Sequence, residues 1–317
     1  MKMKMNDDKA NYQRLVIVGV LLVIMLVLSL MSPEFLTQTN ITNVLRQTAS
    51  VIIAGCAVTM LMVSGNFDLS IGSTMAIAGT MSALFVTWGI PLILSILLSI
   101  LLGAVIGLLN GFLVVKMEVP SIIATLGVMY AVRGVAYIIT GGNSIHLGLG
   151  KDFTYLGRGF VGPLPLSIFI TALVFCIFYF VQHKTLLGKY AYAIGGNRRT
   201  ALLSGINVTQ IGIVLYVLVG TLSAFSGTMM ASRLGVGSAS IGSGFEFDVV
   251  VAVVLGGTSL DGGEGSVFGM LIGALIVGFI ANGLNLLGIH SFYQDVVKGV
   301  VLVGAVLLDR VLQRQLK

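Results

Sequence analysis

Long apolar runs, separated by short polar segments, fill most of the chain. A helix needs about 20 predominantly apolar residues to cross a bilayer, so this pattern predicts an all-α, polytopic membrane protein with about ten transmembrane helices. The eighth run is too short to cross at full length, which favours broken or re-entrant segments. The predicted spans are residues 15–31, 43–63, 69–88, 91–115, 120–140, 164–182, 208–231, 246–257, 266–288 and 292–308.

Composition excludes the aqueous classes of protein. Of the 317 residues 56% are hydrophobic and 9% are charged, whereas soluble domains carry about 25% charged residues. Disorder would require low hydrophobicity and high net charge, so it is excluded as well. The net charge of +6 is not gathered into a basic cluster interleaved with aromatic residues. We therefore expect a lipid bilayer around the chain and no nucleic-acid partner.

The distribution of positive charge predicts the orientation. With an even number of spans, twelve Lys and Arg residues fall on the side of both termini and four on the other side. Positive residues are enriched in cytoplasmic loops, so both termini are expected in the cytoplasm. We expect cytoplasmic tails at residues 1–14 and 310–317 and a single membrane domain at 15–309, with one cytoplasmic loop at 183–207.

Two polar breaks interrupt the apolar pattern. Residues 64–70 (SGNFDLS) separate spans two and three. They form either a re-entrant segment beside a transport path or a short cytoplasmic turn in which Asp68 caps the next helix. Residues 256–266 (GGTSLDGGEGS) are rich in glycine and form either a re-entrant segment or a flexible turn. No phosphate-binding loop of the form Gly-x4-Gly-Lys-[Ser/Thr] occurs in the chain.

A weak internal similarity accompanies these breaks. Phe67-Asp68 and Phe247-Asp248 each precede an apolar run, 180 residues apart and on opposite predicted faces of the membrane. This is the arrangement that an inverted repeat would give. Glycines at every fourth position predict close helix packing in two further spans. They are Gly103, Gly107 and Gly111 in span four and Gly269 and Gly273 in span nine.

Arg133 lies inside the fifth span, where an arginine costs about 2.5–3.5 kcal/mol on insertion scales. It is expected to pair with a buried carboxylate, with Asp68, Glu246 and Asp248 as the alternatives, or to extend towards the outer interface. No histidine has neighbours with metal-ligand spacing, so no metal site is expected.

Polar side chains in and beside the apolar spans are candidates for a translocation path. An amide in an apolar helix either hydrogen-bonds a polar solute or ties two helices together. The candidates are Asn66, Asp68, Asn110, Asn282 and Asn285.

Helix start and stop signals predict a short helix in the loop at 183–207. Gly195-Gly196 interrupts the chain, Asn197 can cap a helix, and Gly205 can end it. A capped, partly apolar helix in a cytoplasmic loop is expected to be a docking element for a partner protein. The alternative is an interfacial loop whose leucines rest on lipid headgroups.

The chain resembles the ribose-type ABC importer permeases of bacterial monosaccharide uptake. The resemblance covers most of the chain in order and is specific in combination. It is carried by SGNFDLSIGSTMAIAG (64–79), VPSIIATLGVMYAVRG (119–134), LGKYAYAIGGNRRTALLSGINV (187–208), FEFDVVVAVVLGGTSLDGGEGSVFGMLIGALIVG (245–278) and NGLNLLGIHSFYQDVVKGVVLVGAVLLD (282–309).

The resemblance implies a transport subunit, not an enzyme, in the bacterial inner membrane. A second permease subunit, identical or different, would complete the path. Two cytoplasmic ATPase domains on separate chains would bind ATP and Mg²⁺, so no cofactor is expected in this chain. An extracytoplasmic binding protein would deliver a monosaccharide such as ribose. The coupling residues implied are Asn197, Arg198, Arg199, Leu202, Leu203 and Gly205.

Two other functional classes remain alternatives at this stage. An ion-coupled secondary sugar transporter would need titratable groups deep in its spans, and only a few candidates exist. An integral-membrane enzyme would need a convergent catalytic set, which the sequence does not offer.

Overall fold

The structure is a computed structural model that describes residues 2–146, 151–290, 292–294, 296–297, 299–300, 303–304 and 307. Helices dominate the fold. They are α1 (Lys2–Met31), α2 (Gln38–Val63), α3 (Ile71–Thr87), α4 (Leu92–Gly111), α5 (Ser121–Thr140), α6 (Lys151–Arg158), α7 (Leu166–Lys184), α8 (Leu186–Gly196), α9 (Arg198–Leu203), α10 (Val208–Leu234), α11 (Phe245–Leu255) and α12 (Val267–Leu286).

Short strands and one π-helical turn complete the described elements. The π-helical turn Phe112–Lys116 continues α4. Strands β1 (Ile145–His146) and β4 (Val236–Gly237) pair antiparallel, as do β2 (Phe160–Val161) and β3 (Leu164–Pro165).

Within the described residues, six helices are long and apolar enough to cross a membrane: α2, Leu92–Lys116, α5, α7, α10 and α12. Two shorter apolar helices are Leu15–Met31 and Ile71–Thr87. The all-helical prediction is confirmed, whereas the predicted number of about ten spans is not.

Two of the predicted spans account for part of this difference. Residues 246–257 contribute α11, which has only 11 residues. The span predicted at 292–308 lies partly outside the described residues, although those described there are helical. The tail predicted at 310–317 lies wholly outside them.

The centre of the bundle is the antiparallel packing of α10 on α4. The glycines predicted to pack closely in α4 face α10 directly: a Cβ atom at Gly107 would overlap the carbonyl oxygen of Tyr216, and one at Gly103 would overlap that of Gly220. Main chains can approach this closely only where no side chain intervenes. The predicted glycine contact is therefore present, and its partner helix is α10.

The second predicted glycine pair joins α12 to α11. A Cβ atom at Gly273 would overlap the carbonyl oxygen of Ala252, and one at Gly269 would overlap that of Gly256. A third close approach brings Gly227 of α10 against Met75 of α3. The short helices α3 and α11 are thus held by main-chain contact with long helices.

The bundle has two distinct ends. At one end, here called the α9 end, α2 finishes and α10 begins beside α8 and α9, since Val208 clusters with Ile194 and Ala201. At the opposite end, strand β1 pairs with β4, and the guanidinium of Arg158 donates to the carbonyls of Arg233 (2.6 Å) and Leu234 (2.8 Å).

The break at 64–70, here called the first break, and the irregular segment 235–244, here called the second break, enter the bundle from these two ends. Each follows a long helix and precedes a shorter one: α2 and α3 in the first case, α10 and α11 in the second. The start of α3 meets the second break itself, because a Cβ atom at Gly72 would overlap the carbonyl oxygen of Gly242. This arrangement suits the predicted inverted repeat, which itself stays a prediction.

The glycine contact generates a stability prediction. We expect Gly107→Ala to lower the free energy of unfolding by about 1–3 kcal/mol, because overpacking forces main chains apart. Gly127→Ala is the matched control, since its Cβ would meet nothing within 4 Å on an exposed helix face. Thermal unfolding in detergent would measure both. Equal behaviour of the two variants would contradict the packing argument.

Candidate functional site

A cavity of about 680 Å³ opens at the α9 end of the bundle. Its wall is assembled from five stretches: residues 64–66 of the first break, residues 114–121 before and at the start of α5, residues 194–198 at the end of α8 and the start of α9, the start of α10, and Asp261. The polar and charged residues of this wall are Ser64, Asn66, Glu118, Ser121, Asn197, Arg198 and Asp261. One space therefore brings Asn66, a predicted path residue, together with Asn197 and Arg198, two predicted coupling residues.

One side of the cavity has unusual backbone geometry. Glu118 has φ +55°, and among the described residues it is the only non-glycine residue with positive φ. It lies between the π-helical turn that ends α4 and Pro120, which precedes α5. Strained residues of this kind persist only where the surrounding structure fixes them, and they concentrate at functional sites. The geometry singles out Glu118, which the sequence analysis missed.

Asp68, within the first break, and Asn110 of α4 form a buried cluster. One carboxylate oxygen of Asp68 accepts from the backbone N–H (2.8 Å) and hydroxyl (2.7 Å) of Ser70. The other accepts from Nδ2 of Asn110 at 3.1 Å, and the same nitrogen donates to the Ser70 hydroxyl at 2.8 Å. Asp68 and Asn110 therefore support the break from within, and neither is among the residues lining the cavity.

Two further side chains tie this break to the bundle. The hydroxyl of Tyr216 on α10 donates to the carbonyl of Phe67 at 2.9 Å. The backbone N–H of Leu69 donates to the hydroxyl of Thr125 on α5 at 3.1 Å. Backbone that leaves a helix in an apolar environment needs such internal partners. The break at 64–70 is thus an ordered segment anchored by α4, α5 and α10.

Asn282 and Asn285 lie near the opposite end of the molecule from the cavity. Asn282 and Asn40 of α2 exchange two amide hydrogen bonds, at 2.9 and 2.8 Å. Oδ1 of Asn285 accepts from Gln294 at 2.8 Å. The structure does not bring either residue together with Asn66. Their place in a translocation path stays a prediction, while their observed contacts join helical segments.

Arg133 binds backbone carbonyls of the second break. Its guanidinium donates to the carbonyl oxygens of Ala239 (2.6 Å), Ile241 (2.8 Å) and Gly242 (3.1 Å). None of the carboxylates proposed from the sequence supplies these bonds. The carboxylate of Glu246 is buried nearby, and its Oε2 has no hydrogen-bond partner among the described residues. The arginine therefore stabilises an irregular backbone segment directly before α11.

The short helix predicted in the 183–207 loop is present as α9. Oδ1 of Asn197 accepts from the backbone N–H of Thr200 at 2.9 Å, and Gly205 has φ +82°. Ala201 faces inward, whereas Leu202 and Leu203 are 52% and 83% exposed. Arg198 and Arg199 are exposed as well. The helix thus presents an apolar and basic surface beside the cavity.

The sequence analysis missed the helix α8 and its contacts. The Tyr192 hydroxyl donates to the carbonyl of Gly265 at 2.5 Å and accepts from the Gln182 amide at 2.9 Å. Neither residue stands out in a single sequence, because both lie in predominantly apolar stretches.

The described part of the chain holds no group of three or more His, Cys, Asp or Glu side chains that could bind a metal ion.

The carbonyl contacts of Arg133 can be tested by Arg133→Lys. The variant keeps the positive charge, but one ammonium group cannot reproduce the planar fork that meets three carbonyls. Leaving carbonyls unpaired should lower the free energy of unfolding by about 1–3 kcal/mol. Arg199→Lys, at an exposed guanidinium, is the control. Thermal unfolding in detergent would measure both, and unchanged stability of Arg133→Lys would contradict this assignment.

The Asn40–Asn282 pair generates a second prediction. A double-mutant cycle with Asn40→Ala and Asn282→Ala should give a coupling energy of about 0.6–1.7 kcal/mol, from the average to the largest value measured for hydrogen bonds between membrane helices. Asn40→Ala combined with Asn285→Ala should be additive, because these residues share no contact. Unfolding midpoints of the variants would supply the energies. A cycle energy of zero for the first pair would refute the pairing.

Comparison with known proteins identifies the relatives of this chain. The sequence model of the family described as "Branched-chain amino acid transport system / permease component" matches residues 40–306. The ribose import permease protein RbsC of Bacillus subtilis is 44% identical over 291 residues, covering 92% of this chain and 90% of the relative. RbsC of Escherichia coli K12 is 40% identical, with 91% of each chain covered.

An arabinose system is also related. The L-arabinose transport system permease protein AraH of Escherichia coli K12 is 36% identical over 306 residues, covering 96% of this chain and 92% of the relative. No solved structure matches the chain. Because the family model spans most of the chain and these identities extend over nearly its whole length, the chain belongs to the ABC importer permease family that includes the ribose import permeases.

Proposed function

We propose that this chain is the membrane permease of an ATP-driven importer that carries ribose or a similar monosaccharide into a bacterial cell. The observation that carries the proposal is the position of α9. This capped helix exposes Leu203 and two arginines on the surface and lies beside the cavity that reaches Asn66. A docking surface and an opening into the bundle are thus adjacent.

Energy would come from a separate ATPase chain bound at α9. ATP and Mg²⁺ would be held by that chain, consistent with the lack of a phosphate-binding loop in this sequence. ATP binding would draw two ATPase domains together and displace α9, which would open the permease outwards to receive the sugar. Hydrolysis would return it to an inward-facing state. A second permease subunit, identical or different, would complete the path.

The proposed orientation places the α9 end in the cytoplasm of the cell. The positive charges of the 183–207 loop and of the terminal segments support it. The cavity would then face the cytoplasm, and the opposite end would receive sugar from an extracytoplasmic binding protein. Crossings beyond the six long helices would come from Leu15–Met31, Ile71–Thr87, α11 and the segment 292–308.

The chemistry of the cavity wall suits a neutral, hydroxyl-rich solute. Amide and hydroxyl groups of Asn66, Ser64 and Ser121 can both donate to and accept from sugar hydroxyls. The similarity to ribose permeases exceeds that to an arabinose permease, which favours ribose.

Uptake into proteoliposomes would test the proposal. The permease would be reconstituted with its ATPase and binding protein, and labelled ribose, L-arabinose and other monosaccharides would be supplied with and without ATP. We expect ATP-dependent uptake. Leu203→Asp should lower it about tenfold or more, because a charge in the apolar centre of a docking surface removes a dominant contact.

The control for this variant is Leu186→Asp, the same substitution at an exposed leucine of the 183–207 loop that lies outside α9. It should transport like the unmodified protein. Uptake that does not require ATP but is abolished by a protonophore would instead establish an ion-coupled secondary transporter. Equal uptake by Leu203→Asp and the unmodified protein would remove α9 from the coupling mechanism.

A further inference from the structure

Three separate segments meet main chain to main chain at the α9 end. They are the end of α2 with the start of the first break, the end of α8, and the loop 256–266, here called the glycine loop. Glycines occupy the meeting points. They are Gly65, Gly195, Gly196, Gly262 and Gly263.

No side chain separates these backbones. A Cβ atom at Gly195 would overlap the carbonyl oxygen of Val63 and lie 2.5 Å from the backbone nitrogen of Gly263. One at Gly262 would lie 2.8 Å from Cα of Gly65. A hydrogen bond from the Gly263 N–H to the Val63 carbonyl, at 2.8 Å, closes the contact. The three segments therefore cannot approach further, and a displacement of one presses directly on the others.

Side chains of α7 and α8 fasten the glycine loop at its other end. The Tyr192 hydroxyl donates to the carbonyl of Gly265 and accepts from the amide of Gln182. Oε1 of Gln182 in turn accepts from the backbone N–H of Val267, the first residue of α12, at 3.0 Å. The loop is thus packed against the end of α8 at Gly263 and hydrogen-bonded to α8 at Gly265.

The segments that meet at the glycine loop continue in the chain into α9 on one side and towards both breaks on the other. Helix α9 begins two residues after Gly196, so the helix that carries the exposed Leu203 follows directly in the chain from this three-segment contact. The loop itself joins α11 to α12, and the segment before α11 is the one that Arg133 holds by its carbonyls. One contact therefore connects α9 with both breaks.

We infer that the glycine loop transmits the movement of α9 to the breaks at 64–70 and 235–244, with Tyr192 and Gln182 as positioning residues. The inference rests on the proposed function. Chains of packed contacts and hydrogen bonds can carry coupling between distant sites, and the three-segment contact with Tyr192 and Gln182 is such a chain. If this contact loosened, ATP would still be hydrolysed but less sugar would be transported per ATP.

Two alanine variants of the same loop test the inference. Gly263 and Gly257 have nearly the same left-handed φ, +79° and +84°, so alanine strains both backbones similarly. At Gly263 the new Cβ would lie 3.1 Å from Cα of Gly196, whereas at Gly257 its nearest neighbour is a side-chain carbon of Ile17 at 3.7 Å. Only Gly263→Ala therefore pushes the loop away from α8.

The measurement is labelled ribose, or whichever sugar the unmodified complex imports, transported per ATP hydrolysed. It would be made in proteoliposomes that contain equal amounts of bound ATPase. We expect Gly263→Ala to lower this ratio at least about fivefold, the lower end of coupling effects between sites, while ATP hydrolysis continues. Gly257→Ala should leave the ratio unchanged. Equal ratios for the two variants would overturn the inference.

A second pair of variants tests the hydrogen bonds of the Tyr192 hydroxyl without straining the backbone. Tyr192→Phe deletes the hydrogen bonds to Gly265 and Gln182, and Tyr155→Phe deletes a hydroxyl bond to the carbonyl of Phe160 at the opposite end. We expect only Tyr192→Phe to lower the ratio of sugar to ATP. A loss of ATPase binding in Tyr192→Phe, in place of a lower ratio, would assign the residue to docking and overturn its role in transmission.

The failure of this inference can be told apart from that of the proposed function. If the unmodified complex shows no ATP-dependent uptake of any sugar tested, the proposed function fails and the transmission role fails with it. If the unmodified complex imports sugar and all four variants keep its ratio, only the transmission role fails.

Discussion

The structure depends on one constraint: irregular backbone in apolar surroundings must find its hydrogen-bond partners within the protein. The two breaks obey it with different chemistry. At 64–70 the backbone bonds Tyr216 of α10, Thr125 of α5 and the carboxylate of Asp68 within the break, which Asn110 of α4 holds in turn. At 239–242 a single guanidinium from α5 serves three carbonyls. Because their backbone groups have hydrogen-bond partners, both breaks are ordered parts of the bundle. The short helices α3 and α11 can therefore begin within it.

Features encoded locally could be predicted from the sequence. The boundaries of α5, α7 and α10 follow from apolar runs and their punctuation, and agree with the prediction to within about three residues. The helix α9 follows from its capping asparagine and terminating glycine. The close packing of α4 follows from glycines spaced one turn apart. Each of these signals lies within a few residues of the structure that it specifies.

Partners that lie far apart in the chain could not be predicted. Arg133 bonds carbonyls more than one hundred residues away. Every residue has a backbone carbonyl, so the sequence does not show which ones an arginine will bind. Asn40 and Asn282 are 242 positions apart, so nothing in the sequence distinguishes a paired amide from one that faces a solute. The cavity has the same origin, since its wall is assembled from five separate stretches. Of the candidate path residues, only Asn66 lies on it.

The attachment of α2 constrains the kind of movement that the bundle can make. Near its start α2 is bound to α12 by the Asn40–Asn282 pair, and at its end Val63 is bound to Gly263, just before α12. These two points are roughly 35 Å apart at a rise of about 1.5 Å per residue. Two helices pinned together at both ends cannot slide along each other without breaking one attachment. They can still swing as one rigid body, so α2 and α12 favour hinge motion over shear.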